Sequence, residues 1–314
     1  MSRIAFVFPG QGAQYVGMGV DLAAAFPAAR AVLEEADQRL GYPLSQLMAE
    51  GPEEQLKQTE HTQPAIVAHS LAALAVLRER GLSPAMVAGH SVGEYAALAA
   101  CGAVSPADAI MLVRKRGQHM QAAGQELPGT MAALLGIELA QAEALCQAVS
   151  AAGVVEVANL NCPGQIVLSG SPAGVAAARE RASEFGARRV MPLAVSGAFH
   201  SSLMQPAAGR LAVDLDGHSF ADPAVPLVAN YSAQPVTTGE ELRHALKLQI
   251  VSRVLWEDSV RTMIAAGIDT FVEVGPGSAL CGMVKKISKE VRTANVADVA
   301  SLEKSLELLQ TPVS

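Results

Sequence analysis

The chain has 314 residues, of which 50% are hydrophobic and 17% are charged. This composition excludes a disordered protein and allows a sizeable buried core. The formal net charge of −7 argues against a nucleic-acid partner, which would need a basic surface. No apolar run is long enough to span a bilayer, so we expect no membrane partner.

The cysteines and the first residues predict where the chain works. Its four cysteines are widely spaced and form no C-x-x-C pair, so the sequence predicts neither a metal site nor a disulfide framework. The N-terminus lacks the charged-then-apolar pattern of a secretory signal. We therefore expect a protein of the reducing cytoplasm.

The first predicted strand covers residues 3–8 and ends in the turn Pro9-Gly10-Gln11-Gly12. Tyr15 breaks the G-x-G-x-x-G pattern, so we do not expect a nucleotide-binding loop. A turn with exposed N–H groups at a strand end can instead help to bind an oxyanion, and Gln11 is the predicted donor.

A long helix is predicted at 64–80, with Thr62 as its N-cap and Gly81 at its C-terminal end. A short apolar strand follows at 86–89. This alternation of strands and helices predicts a parallel sheet that is covered on both faces.

The strand leads into Gly89-His90-Ser91-Val92-Gly93, a G-x-S-x-G motif followed by helix-forming residues at 94–100. In this context the motif is typical of a nucleophile elbow, in which a strained turn exposes the serine hydroxyl at a helix N-terminus. The N–H of Val92 can then bind an oxyanion. The alternative is a turn without chemistry, which five residues alone leave open.

The next predicted helix covers 106–123 and is capped by Ser105. Within it, Arg116 lies four residues after Leu112 and four before Met120, so it shares their apolar stripe. A buried arginine needs an anionic partner, and a substrate carboxylate fits its two-pronged guanidinium. A solvated basic face is the alternative.

The middle of the chain has a different order of elements, β-α-β-β-α-β, which is the ferredoxin-like arrangement. We expect it to form a small domain at 126–195, inserted into a large α/β domain made of 1–125 and 196–314. The predicted strands lie at 131–135, 154–159, 165–170 and 188–193, the helices at 139–151 and 172–185, and a turn at 161–164.

Seven histidines are candidates for the base that activates the serine. Five lie in helical patterns, at surface positions or in a polar loop, and His90 should point away from its neighbour. His200 is the best-placed candidate, at the junction after the insert, where a cleft is expected, although its position alone leaves the other histidines open. No aspartate lies between Asp108 and Asp214, so we expect a Ser-His dyad whose imidazole is oriented by a backbone carbonyl.

The last part of the chain returns to the large domain. A basic cluster in the predicted C-terminal helix consists of Lys285, Lys286, Lys289 and Arg292, and a merely solvated helix face explains it equally well. The predicted elements are helices at 239–250 and 259–266, a strand at 270–274 and a helix from 278.

Together these motifs resemble the malonyl-coenzyme A:acyl carrier protein transacylases of fatty acid synthesis, and they are similar to acyltransferase domains of polyketide synthases. The resemblance runs nearly from end to end. Its motifs are Phe8-Pro9-Gly10-Gln11-Gly12, Thr62-Gln63-Pro64, Gly89-His90-Ser91-Val92-Gly93-Glu94, Arg116-Gly117, Gly197-Ala198-Phe199-His200-Ser201 and Val274-Gly275-Pro276-Gly277.

The resemblance implies a role for each catalytic position. Ser91 would be the acylated nucleophile and His200 its base, with the imidazole oriented by the backbone carbonyl of Gln249. The backbone amides of Gln11 and Val92 would form the oxyanion hole. The implied fold is an α/β-hydrolase-like large domain with a ferredoxin-like insert.

It also implies the substrate contacts. Arg116 would bind the free malonyl carboxylate, and Gln63 and Asn161 would face the cleft. In the polyketide relatives, a bulky residue at the position of Phe199 goes with malonyl rather than methylmalonyl selectivity.

The expected activity is transfer of a malonyl group from malonyl-coenzyme A, through a malonyl-serine, to the thiol of an acidic acyl carrier protein, which would dock on the basic cluster. No cofactor is implied, and we expect a monomer. Three alternatives remain: an acyltransferase serving a polyketide synthase, a serine thioesterase, and a non-catalytic partner that binds the carrier protein.

Overall fold

The computed structural model describes residues 3–310; residues 1–2 and 311–314, which the predicted large domain includes, lie outside the described residues. Its strands form two separate sheets. The strands are β1 (Ile4–Phe8), β2 (Met86–Gly89), β3 (Thr130–Leu135), β4 (Val155–Cys162), β5 (Gln165–Gly170), β6 (Arg189–Pro192), β7 (Leu227–Val228), β8 (Pro235–Val236), β9 (Val254–Leu255), β10 (Thr270–Val274) and β11 (Arg292–Val296).

Helices cover the sheets, and the longest two, α5 and α7, pack on each other. The helices are α1 (Val20–Ala25), α2 (Pro27–Leu40), α3 (Leu44–Glu50), α4 (Glu53–Leu56), α5 (Thr59–Glu79), α6 (Gly93–Ala100), α7 (Pro106–Glu126), α8 (Leu139–Val149), α9 (Pro172–Arg181), α10 (Gln205–Asp216), α11 (Gly239–Gln249), α12 (Trp256–Ala265), α13 (Ala279–Ile287) and α14 (Val299–Gln310). None of the helices in residues 3–310 is both long and apolar enough to cross a membrane.

The larger sheet has the strand order β11-β10-β1-β2-β7-β8. All its pairs with known register are parallel except β7 with β8, so the predicted parallel sheet is confirmed. Phe8 at the end of β1 lies opposite Gly89 at the end of β2. Because the carboxyl ends of parallel strands meet at one edge, the turn after β1 lies beside the G-x-S-x-G motif.

The smaller sheet has the order β6-β3-β5-β4-β9. Its first four strands, with α8 and α9, follow the predicted β-α-β-β-α-β order. One strand comes from outside the predicted insert: β9 pairs in parallel with β4, with Asn159 opposite Val254. The smaller sheet therefore includes chain from both predicted domains, and the division into domains after residues 125 and 195 stays a prediction.

The start of α5 differs from the prediction. The helix begins at Thr59, so Thr62 is not its N-cap; the Thr62 hydroxyl donates instead to the carbonyl of Leu56, at 2.5 Å. Pro64 lies inside the helix and has no N–H for the carbonyl of Glu60. That carbonyl accepts a hydrogen bond from Arg114 of α7, at 2.6 Å, which explains why the helix tolerates the proline.

The predicted turn at 161–164 is too long. Strand β4 runs to Cys162, so Asn161 lies in the strand and only Pro163 and Gly164 connect it to β5. Gly164 has φ 73°, a left-handed conformation that glycine adopts without strain and that suits a two-residue hairpin.

The predicted basic cluster does not lie on one helix. Helix α13 ends at Ile287, Lys289 follows it, and Arg292 begins strand β11, which pairs with β10. The Arg292 guanidinium donates to the carbonyl of Leu308 and to the hydroxyl of Thr270, at 3.3 Å each, so it is engaged within the fold.

We predict opposite effects of two glycine-to-alanine changes. In Gly93→Ala the new Cβ would lie 2.2 Å from the carbonyl oxygen of Phe8, a backbone atom that cannot move alone, so the free energy of unfolding should fall by about 1–3 kcal/mol or more. In the control Gly282→Ala, no atom lies within 4 Å of the new Cβ, and the free energy should rise by up to about 1 kcal/mol. Urea denaturation measures both, and equal effects would contradict the packing argument.

Candidate active site

Ser91 lies in a sharp turn between β2 and α6, at φ 52°. This left-handed conformation is strained for a serine, and such strain persists only where neighbours hold it. A Cβ on Gly89 would lie 1.9 Å from the carbonyl carbon of Gly93, so the turn closes only with glycine at that position. The local geometry is that of the predicted elbow.

The structure brings Ser91 and His200 together. Ser91 Oγ lies 2.6 Å from His200 Nε2, although 109 residues separate them in the chain. His200 Nδ1 lies 3.0 Å from the carbonyl oxygen of Gln249 and 3.2 Å from that of Ser252. Because a carbonyl only accepts, the ring proton is on Nδ1, and the lone pair of Nε2 faces the serine hydroxyl.

His200 is buried and electrically neutral. Burial lowers its pKa to about 3, and the nearby positive charge of Arg116 adds to the shift. Its φ of 58° is also left-handed, so both members of the pair have strained backbones. A neutral imidazole with a free Nε2 lone pair can accept the proton of the Ser91 hydroxyl.

Arg116 reaches the same point from α7, where it is 1% exposed. Its guanidinium donates to Gln63 Oε1 at 2.8 Å, to Gln249 Oε1 at 3.0 Å and to Ser91 Oγ at 3.1 Å. All three partners are neutral, Nε has no partner, and among residues 3–310 no carboxylate forms an ion pair with it. A buried cation of this kind favours an anionic ligand beside Ser91.

The close approach of α7 to α5 explains how Arg116 meets Gln63. A Cβ on Gly117 would lie 2.9 Å from the carbonyl oxygen of Thr59, so glycine at this position lets the two helices touch. Gln63 is fully buried and also donates to the sulfur of Met120, at 3.3 Å. It therefore supports Arg116 rather than lining the cavity.

Asn230 holds the elbow, and no motif of the sequence predicts this role. Its Oδ1 accepts from the N–H of Ser91 at 2.7 Å, and its Nδ2 donates to the carbonyl of Gly89 at 2.7 Å. Its own N–H donates to the buried carboxylate of Glu94, at 2.6 Å. Asn230 follows the two-residue strand β7, which leaves almost no periodic pattern to detect.

Two backbone donors remain available next to Ser91. Its own N–H is bonded to Asn230, whereas in the described part of the chain the N–H groups of Val92 and Gln11 donate to no protein group. Gln11 borders the cavity in front of Ser91, and Val92 is the next residue of the elbow. These are the two amides that the sequence motifs predict as donors to an oxyanion.

A cavity of about 270 Å³ opens in front of the pair. Its polar wall includes Ser91, His200, Gln11 and Asn161, and Asn161 Oδ1 lies 2.9 Å from His90 Nε2. Its remaining wall is largely apolar and includes Met120, Met131, Val167, Leu193, Phe199, Leu280 and Met283. An apolar cavity with few polar groups at one end is typical of a site for an organic substrate.

The remaining predicted groups lie apart from this centre. The three lysines of the predicted basic cluster are exposed: Lys285, Lys286 and Lys289. Lys285 and Lys286 lie on α13, the helix that also carries the cavity residues Leu280 and Met283. Residues 3–310 contain no cluster of three or more His, Cys, Asp or Glu side chains that would suit a metal ion.

The sequence model of the acyl transferase domain family matches residues 5–311. The chain is 45% identical to the malonyl CoA-acyl carrier protein transacylase of Bacillus subtilis, over 99% of this chain and 98% of the relative. It is 41% identical to that of Escherichia coli K12, over 98% of this chain and 100% of the relative.

Solved structures agree with these relatives. The acyl-carrier-protein-S-malonyltransferase of Bartonella henselae matches with a TM-score of 0.94 and 40% identity, over 98% of this chain and 100% of that chain. A malonyl-transacylase solved in complex with its type II polyketide synthase acyl carrier protein matches with the same TM-score, identity and coverage.

We predict that Ser91 reacts with an activated, uncharged acyl ester at a rate that hardly changes between pH 8 and pH 5. The pKa of His200, lowered to about 3, keeps the base unprotonated over this range. Stopped-flow measurement of the acylation rate against pH tests this. An acid limb with its midpoint near the ordinary imidazole pKa of about 6.5 would contradict it.

Proposed function

Because this chain belongs to the acyl transferase domain family, we propose that it transfers a malonyl group from malonyl-coenzyme A to the phosphopantetheine thiol of an acyl carrier protein, as a step of fatty acid synthesis. The full-length relatives of 40% identity or more with this named activity support the proposal. The structural observation that supports it most strongly is the buried Arg116, whose guanidinium lies 3.1 Å from Ser91 Oγ.

In the first half-reaction, Ser91 Oγ attacks the thioester carbonyl as His200 Nε2 takes the hydroxyl proton. The N–H groups of Val92 and Gln11 bind the negative oxygen of the tetrahedral intermediate. The carbon–sulfur bond then breaks, His200 returns the proton to the leaving sulfur, and malonyl-Ser91 and free coenzyme A result.

The second half-reaction runs the same steps in reverse. The carrier thiol gives its proton to His200 and attacks the acyl-serine, and Ser91 recovers the proton as the ester bond breaks. No step needs a metal or a cofactor, because each proton and each negative charge is handled by a group of this chain.

Arg116 supplies selectivity for a diacid. Once Ser91 is acylated, its Oγ is an ester oxygen, which accepts a hydrogen bond more weakly than a hydroxyl, and the malonyl carboxylate can replace it as a partner of the guanidinium. Phe199 in the cavity wall would crowd a branch at the α-carbon of the acyl group, although one methyl group is worth only ~1–3 kcal/mol of discrimination.

Docking of an acidic carrier protein is assigned to the exposed Lys285, Lys286 and Lys289. Lysines near the cavity would steer an acidic partner despite the net charge of −7. Arg292 is left out of this surface, because its guanidinium bonds to other parts of the fold. We also propose that the protein works as a monomer, since its nucleophile and its base lie on one chain. The four free cysteines support a reducing cytoplasm as its compartment.

Intact-mass spectrometry after incubation with malonyl-coenzyme A tests the proposed function. A malonyl adduct should form on the wild type and be absent in Ser91→Ala, and holo acyl carrier protein should then remove it. Release of free malonate as fast as the carrier is loaded would identify a thioesterase instead. If the wild type forms no adduct, the transferase proposal is wrong, and a non-catalytic protein that binds the carrier protein is the remaining alternative.

We predict that Arg116→Ala loses malonyl loading more strongly than acetyl loading. The malonyl carboxylate would be buried without its partner, which costs ~3–5 kcal/mol in similar pairs. The measurement is the loading rate of Ser91 from each thioester. Unchanged malonyl kinetics would dismiss the carboxylate role of Arg116.

A further inference from the structure

Two buried opposite charges beside Ser91 do not touch each other. Arg116 and Glu94 are each 1% exposed, yet neither has an oppositely charged hydrogen-bond partner. Glu94 accepts from the N–H of Asn230 at 2.6 Å and from the side-chain amide of Gln249. Arg116 donates to the oxygen of that same amide, at 3.0 Å.

The amide of Gln249 is oriented to suit both charges. Its oxygen faces the guanidinium, and its NH₂ faces the carboxylate and the carbonyl of Ser91, at 2.9 Å from the latter. A direct Arg116–Glu94 pair would satisfy the same charges but would occupy the guanidinium with a fixed carboxylate. Keeping Glu94 apart from Arg116 leaves the guanidinium free to bind the carboxylate of a substrate.

We propose that the Gln249 side chain is a specificity-determining spacer, which keeps Glu94 one amide away from Arg116. The guanidinium is then neutralised in the free protein, but its Nη groups bind only weak neutral partners that a substrate carboxylate displaces. This inference rests on the proposed malonyl transfer. It gives Gln249 a side-chain role distinct from that of its backbone carbonyl.

The protonation of Glu94 should then depend on which acyl group is bound to Ser91. Burial raises its pKa to about 7, against the opposing effects of Asn230, Gln249 and Arg116. Of the neighbouring titratable groups, Tyr95 interacts with both Glu94 and Arg116 and has a pKa that burial raises. His200 interacts with Arg116 and has a pKa that burial lowers. A malonyl carboxylate on Arg116 competes with Glu94 for the one cation, so loading should raise the pKa of Glu94 and drive proton uptake.

The sharpest test moves the carboxylate by one residue. In Glu94→Gln/Gln249→Glu the atoms and net charge are nearly unchanged, but the carboxylate at 249 contacts Arg116 and the amide at 94 still accepts from Asn230. The malonyl-to-acetyl ratio of Ser91 loading rates should fall by about tenfold or more, as for other close charge pairs. The ratio is measured rather than either loading rate alone. A substitution at 249 can shift the backbone carbonyl that orients His200 and so change the malonyl and acetyl rates together.

The chain offers a matched control. Gln121 Nε2 on α7 donates to Glu60 Oε1 on α5 at 2.9 Å, in the same two helices that hold Arg116 and Gln63. Glu60→Gln/Gln121→Glu makes the same exchange at a partly exposed pair, where charges are screened. Its malonyl-to-acetyl ratio should stay within about threefold of the wild type.

A measurement on the wild type covers the case in which the exchanged variant does not fold. With a pH indicator in weak buffer at pH 7, loading from malonyl-coenzyme A should take up a fraction of a proton more than loading from acetyl-coenzyme A. Both reactions release the same thiol, so the difference isolates the carboxylate.

The outcomes separate the two claims. A fall in the ratio together with the extra proton uptake supports the spacer, and the proton uptake alone decides if the exchanged variant does not fold. Equal loss of both loading rates, an unchanged ratio, or equal proton uptake overturns it while malonyl transfer stands. A wild type that forms no malonyl-Ser91 overturns the proposed function first.

Discussion

The site depends on a buried guanidinium that touches no carboxylate. Arg116 is held by Gln63, Gln249 and Ser91, all of them neutral, in an interior where an unpaired charge is expensive. The same charge helps to keep His200 unprotonated, so the cation that we propose to select the substrate also preserves the base. Removing it would therefore affect both binding and proton transfer.

The fold fixes this arrangement through bonds between distant segments. The strained turns at Ser91 and His200 are held by Asn230 on one side and by the carbonyls of Gln249 and Ser252 on the other. Those carbonyls lie just before β9, the strand that joins the smaller sheet. One short stretch of chain, residues 249–255, thus orients the base and joins the smaller sheet, while Asn230 holds the elbow.

Local patterns predicted most of the elements that border the site. The predictions of strands β2 and β10 and of the Ser105 cap are confirmed. Each depends on a signal within a few residues: a short apolar run followed by glycines for the strands, and a capping serine for the helix. The prediction of Thr62 as the N-cap was wrong, because the helix continues through Pro64. Arg114, 54 residues away from Glu60, donates the hydrogen bond to the Glu60 carbonyl that Pro64 cannot donate. Asn230 and Ser252 were missed because their partners are distant in the chain, and no periodic pattern marks such contacts. The expectation for Gln249 came from the family resemblance alone.

We propose above all that Arg116 binds the free carboxylate of the malonyl group. A crystal structure of the malonyl-Ser91 protein tests it most directly. We expect a malonyl carboxylate at about 2.7–3.2 Å from the guanidinium nitrogens, with the carbonyl oxygen of the ester toward Val92 and Gln11. A carboxylate that points toward the mouth of the cavity, with Arg116 still bonded only to Gln63 and Gln249, would contradict it.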